Sequence, residues 1–307
     1  MVHDVREQRI LVLGVTGQVG HELLHALASS GCVTGLDRGG ADLSVPESLR
    51  SAVRRHRPDV IVNAAAYTAV DRAEREADMA YAINGVAPGI LAEEARALGA
   101  CLVHYSTDYV FDGRKDTPYD EQDTPGPLSS YGRSKLAGER AIVRAGGRYL
   151  VLRTSWVVGA HGTNFLKTML RLAAERDSLN VVADQHGAPT SAALIADVTT
   201  RALQCMGNAT EGDARWGLYH LSAAGETTWH AYARHVVSRA RDLGMALRAT
   251  PDAVAPITTS EYPSAATRPA NSRLNTTKLR TTFAVELPDW KRGVDCVLEE
   301  LTGGKER

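Results

Sequence analysis

The stretch "GVTGQVG" at residues 14–20 constrains this chain more than any other. It sets glycines at 14, 17 and 20 between the apolar run "RILVLG" (9–14) and "QVGHELLHALASSG" (18–31). In the latter, Val19, Leu23, Leu24 and Leu27 recur at helical spacing. Strand, glycine loop and helix in that order open a parallel α/β sheet. Gly14 permits the tight turn out of the strand. Gly17 lets the backbone approach a pyrophosphate seated on the helix N-terminus, and Gly20 lets helix and strand pack closely. A glycine triplet alone is a weak signal, because a turn packed for steric reasons carries the same letters. Asp37, ending the next apolar run "VTGLD" (33–37), supplies the acidic residue of the dinucleotide-binding pattern and decides for it.

The same alternation continues. "VPESLRSAVRRH" (45–56) reads as a helix and "DVIVNAAA" (59–66) as a strand. A helix is expected over 76–98, with Gly85, Pro88 and Gly89 disturbing its middle. "CLVHYST" (101–107) and "RYLVLRTSW" (148–156) are further strands. Strands alternating with helices imply a parallel sheet covered on both faces. After residue 156 the rhythm changes to amphipathic helices at 164–176, 191–206 and 227–244, the last with Thr227 or Thr228 as N-cap. The proline-bearing segment 250–275 is expected to be a loop crossing a site.

A chain of 307 residues with 44% hydrophobic and 23% charged residues can bury a sizeable core. A formal net charge of −1 gives no basis for nucleic-acid or membrane-surface binding. No apolar run reaches the ~18 residues of a membrane helix. Cys32, Cys101, Cys205 and Cys296 lack zinc or redox spacing and read as reduced thiols. With the polar start "MVHDVREQ" lacking a leader pattern, a cytoplasmic location is expected.

The cofactor signals conflict usefully. Asp37 is placed for a ribose 2′-hydroxyl, which favours NAD, and Arg38 for a 2′-phosphate, which favours NADP. Asp42 and Leu43 of "ADL" would lie near the adenine, and Gln18 and Val19 belong to the phosphate loop. In "NAAAYT" (63–68), the residues Ala64, Ala65, Ala66, Tyr67 and Thr68 follow a strand, and small side chains there let a cofactor cross the sheet edge; plain core packing is compatible with the same alanines.

"YGRSK" puts Tyr131 and Lys135 one helical turn apart, on one face. An ammonium beside a phenol favours the phenolate, and one charge at ~4 Å supplies about 4 kcal/mol at an effective dielectric of ~20. The pair can therefore make an acid–base group for neutral pH, although a surface tyrosine near a surface lysine has the same spacing. "HYSTDYVFDG" (104–113) offers Ser106, Thr107 and Asp108 at a strand's carboxyl end, where open α/β sheets form sites. Thr107 is the candidate third member, and Ser106 is expected to tie its hydroxyl to backbone.

With these residues assembled, the sequence resembles the extended short-chain dehydrogenase/reductases and, within them, the dTDP-4-dehydrorhamnose reductase group. "RPDVIVNAAAYTAVDRAE", "VHYSTDYVFDG", "LRTSWVVG", "NFLKTMLRLA", "DQHGAPTSA" and "RPANSRLNTTKL" carry the specific part; "GVTGQVG" and "YGRSKLAGE" are generic to the superfamily. The resemblance implies an α/β chain with a Rossmann-type doubly wound parallel sheet and a smaller C-terminal substrate-binding domain. It divides the chain into 1–155, with a return at 190–222, for NAD(P), and 156–189 with 223–307 for a sugar nucleotide. It implies NAD(P)H-dependent reduction of a 4-keto group: Tyr131 as proton donor, Lys135 on the nicotinamide ribose, Thr107 completing the triad and Tyr105 lining the cofactor side. Asp108 and Trp156 would touch the sugar, with Asn164, Gln185 and Arg268 as candidates for the deoxythymidine diphosphate. NADPH is the expected cofactor and NADH is expected to be accepted.

No metal is assigned to Asp184, His186 and His161, whose scatter is wrong for one. Magnesium at a dimer contact is left open, because Ala193 stands where relatives using it carry a glutamate, and a homodimer is compatible with the resemblance. Three rivals remain. A dehydratase or epimerase of the superfamily is disfavoured because Tyr109 occupies the position of a dehydratase glutamate. A non-catalytic cofactor-binding regulatory subunit is disfavoured by the intact Thr107–Tyr131–Lys135 set. A 4-ketoreductase of an antibiotic deoxysugar or dihydrostreptose-type pathway stays open.

Overall fold

The computed structural model describes residues 7–207 and 209–303. The chain starts β1 (Arg9–Leu13), α1 (Gln18–Ala26), β2 (Cys32–Leu36), α2 (Pro46–His56) and β3 (Val60–Asn63). It continues through α3 (Val70–Ala73), α4 (Ala77–Tyr81), a π-helical turn Ala82–Val86, α5 (Ala87–Leu98), β4 (Cys101–Thr107), α6 (Ser130–Ala145) and β5 (Arg148–Thr154). The helix expected over 76–98 is thus continuous in path, and the disturbance at Gly85 is a π-turn rather than a break. Such turns recur at functional sites.

The second half holds β6 (Val157–Val158), α7 (Phe165–Glu175), β7 (Leu179–Val182), β8 (His186–Gly187), β9 (Thr190–Ser191), α8 (Ala192–Cys205) and β10 (Gly217–His220). It ends with β11 (Thr227–Thr228), α9 (Trp229–Asp242), β12 (Val254–Ile257), α10 (Thr277–Phe283) and α11 (Trp290–Gly303). Thr228 is the N-cap of α9, accepting from Ala231 N at 3.1 Å. Segment 250–275 is less irregular than its prolines suggest: β12 pairs in parallel with β7 before the chain returns across the first half.

Six strands form one sheet in the order β10-β5-β4-β3-β1-β2, each pair parallel. Strand alternation explains why both faces are covered. Ile10, Val12, Val60, Val62, Leu150 and Leu152 pack with Leu23 and Leu27 of α1 and Ile195 and Val198 of α8. Leu11, Leu13, Ile61, Leu102 and Val151 pack on the opposite face with Leu49 and Val53 of α2, Leu91 of α5 and Ile142 of α6. Near-continuous apolar strands are what two covered faces require. The sheet is a doubly wound, Rossmann-type sheet, as its sequence pattern implied.

A second core gathers Leu166 and Leu170 of α7, Val236 and Val237 of α9, and Val294 and Leu298 of α11. The chain leaves β5, builds part of this unit, returns to the sheet through α8 and β10, and leaves again. Because β2 and β3 flank β1, the strand order reverses at β1 and β3, and a crevice opens over their carboxyl ends.

Candidate active site

A cleft of about 540 Å³ occupies that crevice. Gly14 has φ +83 and leaves β1 so close to the loop after β3 that an added Cβ would lie 2.7 Å from Ala65 Cα. At Gly20 an added Cβ would overlap the Gly14 carbonyl, which fixes how tightly α1 sits on the loop. Gly17 caps α1 and no side chain closes its first turn, so the amides there face the cleft. Gly14, Gly17, Gln18, Val19, Asp37, Arg38, Asp42, Leu43, Ala64, Ala65, Ala66, Tyr67, Thr68, Tyr105, Tyr131 and Lys135 line one continuous surface. Gly20 lies beneath it, and Thr16, Ile83, Thr154 and Thr163 line it without having been marked from the sequence.

These residues fit an extended dinucleotide. The helix terminus suits a pyrophosphate, the alanines give a flat floor, and Asp37 and Arg38, the residues expected to read the 2′-ribose position, line the same cleft. Asp37 Oδ1 accepts from Gly40 N at 3.1 Å, while Arg38 Nε donates to Asp42 Oδ2 at 3.0 Å. The Arg38 side chain is 75% exposed, so the guanidinium nitrogens not used by Asp42 can reach a phosphate.

The other end of the cleft holds the polar set. α6 starts at Ser129, whose hydroxyl accepts from Gly132 N at 3.1 Å. Its buried face carries Tyr131, Lys135 and Glu139 at successive four-residue steps. Thr107, ending β4, lies beside the Tyr131 phenol and donates to Asp108 Oδ1 at 3.1 Å. Asn84 of the π-turn bonds Tyr67 N and O at 2.9 Å each and Ser134 Oγ at 3.1 Å, tying the cleft floor to α6.

Electrostatics here departs from the sequence reading. Lys135 Nζ donates to Tyr105 O at 2.6 Å and meets His104 Nε2 at 3.2 Å; no hydrogen bond joins it to Tyr131. Burial pushes the Tyr131 phenol up to about 12, against a hydrogen bond from Thr107 and with the Asp108 charge adding to the rise. The helical-spacing argument left out desolvation, and desolvation wins. Burial also takes Lys135 down to about 8, opposed by Glu139, and raises the Asp108 carboxyl to about 7. Asp108 is 2% exposed; the Ser272 hydroxyl lies beside its carboxyl, and its Oδ2 makes no well-formed hydrogen bond.

Ser106 is tied to a side chain rather than to backbone. Its hydroxyl donates to Glu139, which also holds Arg153 through contacts of 2.9 and 2.7 Å. Arg153 lies 5.0 Å over the Phe111 ring. This buried pair locks α6 against β4 and β5 and was not legible in the sequence.

The remaining candidates are placed as follows. Trp156 has φ +47 and stacks on Trp229 at 3.7 Å. Asn164 caps α7 and donates to Gln18 Oε1 at 2.8 Å, joining the second core to the phosphate loop. Gln185 is buried, between Trp229 Nε1 and Thr259 Oγ1, which makes it a structural bridge in this structure. Arg268 pairs with Asp71 at 2.6 Å and lies beside Tyr109, whose ring meets Tyr131 edge-on at 5.8 Å. One Arg268 nitrogen, Nη1, is buried without a partner. Asp184 accepts from Thr259 and His161 lies against His21 with the rings tilted by 38°; among the described residues no group of three His, Cys, Asp or Glu is arranged to hold a metal. The described part of the chain has no helix long and apolar enough to cross a membrane. The start of the polar N-terminal stretch lies outside the described residues.

Residues 8–302 match the family described as RmlD substrate binding domain. A dTDP-4-dehydrorhamnose reductase of Burkholderia thailandensis is 48% identical over 294 residues, covering 95% of this chain and 99% of the relative. One of Streptomyces griseus is 42% identical over 298 residues, covering 96% and 94%. Among solved structures, a dTDP-4-dehydrorhamnose reductase of Bacillus anthracis in complex with NADP aligns with a TM-score of 0.86 at 34% identity, covering 96% and 99%.

Proposed function

The chain belongs to the RmlD substrate binding domain family, and from that premise we propose that it reduces dTDP-4-dehydro-L-rhamnose to dTDP-L-rhamnose with NADPH. The observation that carries this reading is that Tyr131 and Lys135 share one cleft with the glycine loop, with the Thr107 hydroxyl beside the phenol. When bound there, NADPH supplies a hydride to sugar carbon 4. The chain's own residues then have to deliver a proton to the carbonyl oxygen.

A phenol at about 12 keeps its proton at neutral pH. The developing alkoxide is a stronger base than a phenolate, so Tyr131 gives its proton up only as the oxygen becomes charged. That timing places the interaction in the transition state, where it accelerates the reaction. Thr107 holds the phenol and shares the oxygen's new charge. Lys135, at the cleft floor, grips the ribose. Asp108, its carboxyl raised to about 7, is placed to donate a hydrogen bond to a sugar hydroxyl when protonated, and Trp156 supplies the second sugar contact. Arg268 sits one ring away from Tyr131 and offers its unpartnered nitrogen to the diphosphate. The exposed Arg38 admits the 2′-phosphate of NADPH, and Asp37 admits NADH as well. A cytoplasmic homodimer with 1–155 and 190–222 as the cofactor unit belongs to the same reading.

The test is turnover. Purified protein with NADPH and dTDP-4-dehydro-L-rhamnose is expected to oxidise the cofactor and yield dTDP-L-rhamnose, identified by NMR. Cofactor binding without turnover, as in a regulatory subunit, overturns the proposal.

A further inference from the structure

The polar chain beneath the cleft assigns a part to His104, which the catalytic set does not use. His104 is 1% exposed in the middle of β4, and Asn63 at the end of β3 is equally buried. Asn63 Oδ1 accepts from Ala65 N at 3.2 Å, which fixes the orientation of its amide. Its Nδ2 therefore faces His104 Nδ1, 3.1 Å away, and donates to it. A neutral imidazole has a single N–H, and an accepting Nδ1 leaves that proton on Nε2. Nε2 lies 3.2 Å from Lys135 Nζ. An ammonium has three donors and no lone pair, so an N–H aimed at it is repulsive, whereas an amine accepts that N–H.

The geometry points to His104 as a positioning residue: held in one tautomer by Asn63, it favours the amine form of Lys135 and sets the pH at which that lysine becomes charged. Ala65 lines the cleft above, so the cofactor floor and the lysine charge are joined through one chain of three side chains. Burial works in the same direction on Lys135 and also suppresses ionisation of His104 itself. The other groups facing Lys135 are accounted for. On α6 these are the Tyr131 phenol and Glu139, and Glu139 favours the ammonium but is held by Arg153 of β5 and Ser106 of β4. Asp108 faces Tyr131, and the π-turn contributes only the neutral Asn84, bonded to Ser134 of α6.

The inference rests on the placement of Lys135 in the cofactor cleft, but its test needs no turnover. In protein carrying ¹³C-lysine, the Lys135 resonance, assigned by its loss in Lys135→Met, gives the titration midpoint. Histidine ¹⁵N shifts give the tautomer of His104. Wild type is expected to carry the proton on Nε2. Asn63→Asp keeps the shape and the acceptor for Ala65 N, but its carboxylate accepts a hydrogen bond where the amide donated one and so favours an N–H at Nδ1. In that variant the proton should move to Nδ1, and the Lys135 midpoint should rise by about one pH unit or more. A wild-type Nδ1–H tautomer, or an unmoved midpoint in Asn63→Asp, overturns the inference. The wild-type tautomer is decisive even where the variant fails to fold. Absence of reductase turnover would instead refute the proposed function and leave this result standing.

Discussion

Asp108→Asn isolates the strangest charge in the site. The substitution keeps the shape of the protonated acid and removes its ability to ionise. Burial raises the folded-state carboxyl from 3.8 to about 7, a shift of about three units. At ~1.36 kcal/mol per unit this amounts to about 4 kcal/mol between the extremes of pH. The folded state binds this proton more tightly than the unfolded chain. The contribution to stability is therefore fully present below about 3.8 and is lost as pH rises through about 7. Asparagine has no such dependence. Between about pH 5 and about pH 8 the variant should gain ~2–3 kcal/mol on wild type, with no further gain at higher pH. Urea unfolding of both proteins across that range reads the difference directly. A stability difference that stays flat with pH would show that Asp108 is ionised in the fold, and the argument that it donates a hydrogen bond to the sugar would fall with it.

Tyr131→Phe removes the proton donor and keeps the ring, so kcat should fall by about 10² or more while NADPH binding, followed by fluorescence, survives. Arg38→Ala should weaken kcat/KM for NADPH more than for NADH, by ~1.5–3 kcal/mol for a lost charged hydrogen bond; equal losses would show that Arg38 does not read the phosphate. Arg153→Leu strands the buried Glu139 carboxylate and should cost about 3–5 kcal/mol in urea unfolding; a loss below about 1 kcal/mol would mean that the pair does not anchor α6.

The sheet was legible because its signals are local. β4 occupies the stretch read as a strand, residue for residue, since a seven-residue apolar-to-polar run between turn signals leaves little choice. The glycine loop and the floor alanines were legible because only small residues tolerate the approach of Gly14 to Ala65. What stayed hidden is long-range. Glu139 and Arg153 carry no signal in the sequence, and only the packing of α6 on β4 and β5 buries them together. His104 and Asn63 sat inside quoted motifs without a role, since their partners come from different strands and from α6. Pairing Lys135 with Tyr131 by helical spacing failed for the same reason: spacing gives a shared face, but the Lys135 Nζ hydrogen-bonds the Tyr105 carbonyl of β4. Gln185 and Asn164 show the reverse limit, polar residues whose hydrogen bonds within the fold account for them.

The central claim is that this cleft moves a hydride to carbon 4 of a keto-sugar nucleotide while Tyr131 supplies the proton. NADPH deuterated at the transferable position of the nicotinamide tests it most directly. With dTDP-4-dehydro-L-rhamnose the account predicts one deuterium at carbon 4 of the product for each NADPH oxidised, and loss of that signal in Tyr131→Phe. Deuterium at any other carbon, or an unlabelled product formed at the wild-type rate, would contradict it.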